Sequence, residues 1–243
     1  MQLDSNFYLE NLSLGEAFLS LEESGHVIKS FRARAGDSLE LCNGKGCFAN
    51  AEILEASPKV CKVHIKSISE QEPPPKIHLA IGCLSDGGEE EIAFHAAQLP
   101  LAAIHLLRTE RSQEPRNSDL SKLCRRMEAK SLAALKQSRK SWLTEIKPPI
   151  YLSKFLENFN GNLIVCNKDG TLAASSLSLP ATHTAILTGP EGGFSPAELE
   201  ALKNKNASFL SLGSTRLRAV TAPIIALGAI LPIQHKLHNN TQS

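Results

Sequence analysis

Three glycines, Gly189, Gly192 and Gly193, follow an apolar run in the stretch LTGPEGGFSPAELE, residues 187–200. Residues without a Cβ at a strand end let a ligand come close to main-chain groups. A phosphate has that need, and so does a cofactor folded against backbone amides. The phosphate patterns fail on spacing. A P-loop requires GxxxxGK[ST], and Phe194-Ser195 stands where the Lys-Ser/Thr pair belongs. A dinucleotide fingerprint requires GxGxxG and an acid about 20 residues further on, and this stretch supplies neither. Ser195, Pro196 and Glu198 have a structural explanation: Ser at the N-cap, Pro at the first helical position, and Glu reaching back from the third. A second stretch, LSLGSTRLRAVTAPIIALGAI at 210–230, repeats the order of strand, glycine, basic residues and apolar helix. Two strand-end loops, near residues 190 and 213, are thus suited to face each other and hold a ligand through backbone groups, above a C-terminal helix for which Thr221 is the expected cap.

The elements that position these loops read as two domains. QEPPPKIHLAI contains the only triple proline, Pro73–Pro75, which forbids helix and central strand and marks a connector. Before it, GDSLELCNGKGCFANAEILEA alternates apolar and polar residues around Asn43-Gly44, a hairpin signal, and KVCKVHIKSI alternates again. Residues 1–72 are therefore expected to form a small β-barrel. After the prolines, strand-like KIHLAIGCL, AAIHLLRTE, NLIVCN, HTAILTG and ASFLSLG alternate with helical EEEIAFHAAQL, SKLCRRMEAKSLAALKQS, SPAELEALKN and TAPIIALGAILPIQHKL. Spacing in the second of these helices puts Leu123, Met127, Leu132 and Leu135 on one face. Residues 76–243 are expected to form a mostly parallel α/β sheet covered on both faces.

Composition narrows the function classes. The chain has 243 residues, 42% hydrophobic and 21% charged, within the range of ordinary globular domains. No run of about 18 apolar residues suggests a membrane span. The first residues carry acids where a secretory signal needs lysines and an apolar run, so a cytoplasmic location is expected. Six cysteines form no CxxC pair, which argues against zinc and disulfides. HExxH and GxSxG are absent. The net charge of +1 hides an asymmetry: residues 1–75 hold seven Lys/Arg and eleven Asp/Glu, and residues 76–243 hold nineteen and fourteen. Between Lys122 and Lys140 seven basic residues stand against Glu128 alone. Such a patch is a footprint for a phosphate backbone or the solvated face of a helix, and the patch alone leaves both open.

GPEGGFSPAELE, followed some twenty residues later by SLG-x-x-x-LR-x-x-TA, resembles the ribosomal RNA small subunit methyltransferase E family of the SPOUT superfamily. GHVIKSFRARAGDSLELCNGKG is similar to that family's N-terminal PUA-like barrel, and HLLRTERSQ and ALKQSRK resemble two of its middle blocks. The resemblance implies a C-terminal domain with a deep trefoil knot, a homodimer, S-adenosylmethionine as cofactor, and methylation of N3 of a uridine in 16S rRNA. It implies a cofactor pocket formed by Leu187, Gly189, Pro190, Glu191, Gly192, Gly193, Leu212, Gly213 and Leu217. Arg111 and Arg139 in the middle blocks and Arg32 in the barrel-like stretch are expected RNA contacts. Arg126 and Lys130 join them because their spacing puts them on one face of the basic helix. Arg216 beside Arg218 is a further candidate, and no metal is expected.

N3 of uridine carries a proton between two carbonyls and attacks a methyl group well only once deprotonated, with charge spread onto O2 and O4. A cation near those oxygens is required, and Arg218 is the expected one. A cysteine adduct, needed to activate a uridine carbon, is unnecessary. The chain departs from the family pattern at three places. Val220 stands where the family has a glutamate, Arg216 where it has a hydrophobic residue, and Gln98-Leu99-Pro100 where it has Glu-Leu-Gly. The altered substrate side keeps a second reading open, an RNA- or ribosome-binding relative with a vestigial site.

Overall fold

The structure, a computed structural model, describes residues 2–85, 87–112, 120–176 and 183–240. It divides into two compact units, Met1–Pro73 with Leu132–Leu143, and Pro74–Ser131 with Thr144–Ser243.

The first unit is built on a five-stranded sheet of β1 (Gln2–Tyr8), β2 (Gly15–Phe18), β3 (Ser38–Cys42), β4 (Cys47–Glu55) and β5 (Lys62–Glu70). The order is β1-β3-β4-β5-β2. The hairpin at Asn43-Gly44 forms as its sequence predicts, with Cys42 opposite Phe48. The Asn43 side-chain oxygen accepts from the amides of Lys45 and Cys47 at 2.8 and 3.0 Å, and Gly44 takes φ 68°, which glycine tolerates. Alternation along β3, β4 and β5 buries Leu39, Leu41, Ala51, Ile53, Val63 and Ile65 on one face. The sheet is open where a closed barrel was expected: β1 and β2 are its edges. Helix α1 (Leu21–Gly25) and the π-helical turn His26–Ser30 follow β2, and Leu19, Val27 and Phe31 from this region join the buried cluster that barrel closure would otherwise complete.

Residues 132–143 belong to this unit through specific ties. Lys136 Nζ meets Glu23 Oε1 at 2.5 Å with both side chains largely buried, and Glu23 Oε2 accepts from the Tyr8 amide at 3.1 Å. Trp142 Nε1 donates to the Gln71 carbonyl at 3.0 Å. Burial pushes the Lys140 amine down to about 8. The basic patch is thus divided, because its last third serves the first unit's packing.

The second unit is a six-stranded parallel sheet. Its elements in chain order are β6 (Ile77–Gly82), α2 (Glu89–Ala96), β7 (Ala103–Arg108), α3 (Leu120–Gln137, whose residues from Leu132 on belong to the first unit), β8 (Glu145–Tyr151) and α4 (Leu152–Asn158). They continue with β9 (Asn162–Cys166), β10 (Thr184–Thr188), α5 (Pro196–Asn204), β11 (Ser208–Leu210) and α6 (Ala222–Asn240). The strand order is β11-β9-β10-β6-β7-β8, every pair parallel. One face buries Leu79, Ile81, Leu106 and Ile186 against Ile92 of α2, Met127 of α3 and Leu227 of α6. The other buries Ala80, Val165, Ala185 and Leu187 against Phe155 of α4 and Leu202 of α5. Strand β8 and helix α4 were not foreseen. Pro148 and Pro149 break the strand signal, and β8 accommodates them by lying at the sheet edge, with its register shifted opposite His105 and Leu107. On α3 the buried stripe passes through Ser131 instead of Leu132, since the Ser131 hydroxyl donates to the Thr144 carbonyl at 2.7 Å. Among the described residues no helix is long and apolar enough to cross a membrane.

His78 of β6 and His105 of β7 touch through Nδ1 and Nε2 at 3.0 Å, with Phe159 against the first and Phe155 against the second. Burial, and then the neighbouring positive charge of His183 and Lys147, pushes His78 down to about 4. Burial, then His78 and Lys147, does the same to His105. An unfolded histidine takes its proton near pH 6.5, so this stability is present above that value and is lost as pH falls toward 4. The urea midpoint is therefore expected to fall between pH 6.5 and 5, before most carboxylates titrate. The double change His78→Gln, His105→Gln should flatten that segment of the curve, and an unchanged slope would contradict the assignment.

Candidate functional site

Parallel α/β sheets bind ligands outside the carboxyl ends of their strands, and the predicted glycine loops leave those ends here. The 189–195 loop follows β10, the 211–221 segment follows β11, and a third loop, Asn167–Asp169, follows β9. Together they wall a cavity of about 610 Å³. Of the predicted cofactor residues, Gly189, Pro190, Glu191, Gly192, Gly193, Leu212, Gly213 and Leu217 line it. Leu187 does not. It is fully buried in β10 and packs on the α4 and α5 face, because alternation along the strand turns it into the core.

The glycines serve two purposes that the sequence did not separate. A Cβ on Gly82, at the end of β6, would lie 2.5 Å from Pro190 Cδ and 2.6 Å from Pro190 N. A Cβ on Gly189 would meet Gly193 Cα at 3.0 Å. These positions need glycine so that the chain can pack on itself. Gly193 and Gly213 have φ 68° and 117°, and a Cβ on either would meet nothing within 4 Å, so glycine there permits the backbone turn while leaving space open.

Polar ties hold the 189–195 loop in shape. The Gly193 amide donates to the Pro190 carbonyl at 2.8 Å. Glu191 Oε1 accepts from the Ser85 amide and hydroxyl at 2.9 and 2.8 Å, which joins the loop to the end of β6. That oxygen caps backbone. Arg111 Nη1 donates to the Gly192 carbonyl at 2.8 Å and to that of Phe194 at 3.3 Å, and Arg216 Nη2 reaches the Glu191 carbonyl at 3.4 Å. Ser195 and Glu198 form the full capping box predicted for α5. The second oxygen of Glu198 also accepts from the Glu110 amide at 2.9 Å, a tie to the β7 loop that composition alone could not reveal.

Arg218 is exposed and lies past the cavity, on the same segment as Leu217 and Ala219. The other predicted basic residues scatter. Arg111 and Arg216 hold the loop. Arg126 pairs with Glu90 at 2.5 Å, and Lys130 lines a separate recess beside Arg218. Arg32 and Arg139 lie in the first unit, where both have φ 54° and Arg139 meets Glu40 at 3.5 Å. The β9 loop was missed. Its Asn167 side chain accepts from the Asp169 amide at 3.1 Å in a turn that carries no glycine cluster, so only the Asn-x-Asp pattern could have signalled it. Cys166 sits at the cavity edge, and burial pushes its thiol up to about 12, which keeps it protonated and unreactive. Among the described residues no group of three or more His, Cys, Asp or Glu is placed to hold a metal ion.

With this geometry the chain compares closely with known proteins. A family model described as an RNA methyltransferase domain matches residues 71–231, and one described as an RNA methyltransferase PUA domain matches residues 20–66. The ribosomal RNA small subunit methyltransferase E of Synechocystis is 29% identical over 222 residues, covering 87% of this chain and 71% of that protein. The protein of the same name from Bacillus subtilis is 28% identical, covering 86% and 87%. A Legionella pneumophila structure described as a methyltransferase in complex with the bound cofactor SAM superposes with a TM-score of 0.86 and 28% identity, covering 94% of this chain and 97% of that one.

Because Gly82 lets Pro190 lie on the end of β6, Gly82→Ala is expected to destabilise the fold by roughly 1–3 kcal/mol through overpacking. At about 2–4 °C per kcal/mol for a chain of this size, calorimetry should read a melting temperature several degrees lower. An unchanged melting temperature would show that the loop does not depend on this packing.

Proposed function

We propose, for a chain that belongs to the RNA methyltransferase family of the ribosomal RNA small subunit methyltransferase E kind, that it methylates N3 of a uridine in 16S rRNA within the small ribosomal subunit. The observation that carries the reading is the cavity of about 610 Å³ walled by the two strand-end glycine loops. Its size suits a cofactor, and Gly193 and Gly213 leave its walls open to close main-chain contact. S-adenosylmethionine, the cofactor named for the Legionella structure, is the group the site would take, and it supplies an electrophilic methyl bonded to sulfur.

The residues of the chain do the rest. Backbone groups of Gly189–Gly193 and of Leu212 and Gly213 bind and orient the donor, while Leu199, Leu217 and Ala219 keep water from it. Arg111 fixes the loop carbonyls before any ligand arrives, so the donor meets a preorganised wall. Arg218 offers a guanidinium to the uracil oxygens on which negative charge develops as N3 loses its proton. Cys166 remains a thiol, and attack by a ring nitrogen needs no cysteine adduct. In this reading the second unit is threaded as a trefoil knot and the protein works as a homodimer. Lys130 and Arg216 lead the remaining basic residues as RNA contacts, with Arg32 and Arg139 reaching RNA from the first unit.

Small subunits from cells lacking this protein should accept labelled methyl from S-adenosylmethionine, and mass spectrometry should identify the product as N3-methyluridine. Binding without transfer would instead favour the RNA-binding relative with a vestigial site. The double change Arg126→Ala, Lys130→Ala should weaken subunit binding and lower its salt slope by about one for each phosphate no longer neutralised, with cofactor affinity unchanged. An unchanged slope would make that face of α3 a solvated one and move the RNA path toward Arg216 and Arg218.

A further inference from the structure

A second cavity of about 520 Å³ opens in the same unit, between α2 and the segment that precedes α6. Glu90, Glu91, Phe94 and His95 of α2 line it, with Lys130, Arg218 and Val220 opposite. Arg218 and Val220 also line a recess of about 230 Å³ whose other walls are Glu191, Arg216, Leu217 and Ala219. Those four residues are walls of the glycine-loop cavity too. The short stretch 216–220 therefore forms a common wall between the donor cavity and the second one, which is where an acceptor must sit for a methyl to pass between them.

The lining matches the edge of a uracil. Its two carbonyl oxygens need donors, and Arg218 and Lys130 are cations that only donate. Its flat faces need apolar contact, and Phe94 and Val220 offer it. Its N3–H needs an acceptor, and Val220 supplies none on the arginine's own segment. Glu90 is engaged with Arg126 at 2.5 Å. Glu91 and His95 stand four residues apart on one face of α2, both exposed into the cavity. An imidazole in its neutral form has one ring nitrogen that accepts, and among side chains it is the one suited to taking and releasing a proton near neutral pH.

We infer that this second cavity receives the target uracil and that His95 accepts the N3 proton, an assignment that rests on the uridine-methylation reading above. The N3 proton passes to an imidazole nitrogen, giving an imidazolium. The N3 lone pair forms the new bond to carbon as the bond from that methyl to sulfur breaks, and its electron pair stays on sulfur. The imidazolium, exposed to solvent, then releases the proton to water. Among the described residues, Glu90, Glu91, Lys130 and Arg218 are the charged groups that line the cavity with it.

The test measures single-turnover methyl transfer to small subunits between pH 5.5 and 9, for the parent, His95→Gln and Glu91→Gln. In the parent the rate should rise with pH and then level. His95→Gln should be slower by roughly 10²–10⁴-fold near neutrality and should rise about tenfold per pH unit, as the imide ionises unaided. Its subunit affinity should stay within about twofold of the parent. Glu91→Gln should keep the parent profile. Loss of transfer in Glu91→Gln instead of in His95→Gln would assign the proton to Glu91 and overturn the role of His95. Subunits reconstituted with RNA carrying 5-fluorouridine at the target, whose imide is more acidic, should restore His95→Gln far more than they speed the parent. A parent-like profile in His95→Gln, or a slow variant that 5-fluorouridine does not restore, would overturn the role of His95 while leaving the methylation reading standing. A parent that transfers no methyl at any pH would remove both.

Discussion

The site depends on how closely two turns of chain pack at the carboxyl ends of β6 and β10. Pro190 lies on Gly82 and Gly189 lies on Gly193, at separations that a single Cβ on either Gly82 or Gly189 would violate. Protein interiors of crystal-like density transmit such close packing to their surroundings. With those two positions occupied by glycine, the loop turns back over the end of β6, and the space beyond it becomes a cavity instead of a crossing of side chains. Gly193 and Gly213 contribute backbone conformation and leave the wall bare.

Electrostatics then locks what packing allows. Three polar ties to the loop come from different strand ends: Ser85 after β6, Arg111 after β7, Arg216 after β11. The loop carboxylate and carbonyls that these groups hold are thereby turned toward the protein, leaving the remaining main-chain groups to a ligand. Arg111 carries a charge that is spent on two carbonyls, so its position close to the cavity reflects architecture as much as recognition. The same distinction applies to α3, whose basic residues divide among an ion pair with Glu90, a recess beside Arg218, and the packing of the first unit.

What could be read in the sequence follows what side-chain periodicity and glycine encode. The hairpin at Asn43-Gly44, the alternating strands and helices after the prolines, and the Ser195–Glu198 capping box all announce themselves through local chemistry that tertiary packing preserves. The cavity residues on the two glycine loops were legible for the same reason. Strand β8 was not, since Pro148 and Pro149 are tolerated only because it occupies a sheet edge, a tertiary fact. Asn167–Asp169 was not, since a short Asx turn at a strand end looks like any other turn until the fold brings it beside the glycines. Leu187 was misplaced because adjacency to a motif says nothing about which face of a strand a side chain takes. The five-stranded sheet of the first unit stays open where alternation alone suggested closure, with α1 and the π-helical turn contributing apolar residues to its core.

The central claim is that two strand-end glycine loops bind a methyl donor through main-chain groups and have no affinity for a phosphate ligand. Isothermal calorimetry on the folded, full-length protein tests it directly, with S-adenosylmethionine in one titration and ATP in the other. The account predicts saturable heat with S-adenosylmethionine at one site per chain and none with ATP. Heat with ATP and none with S-adenosylmethionine would contradict it.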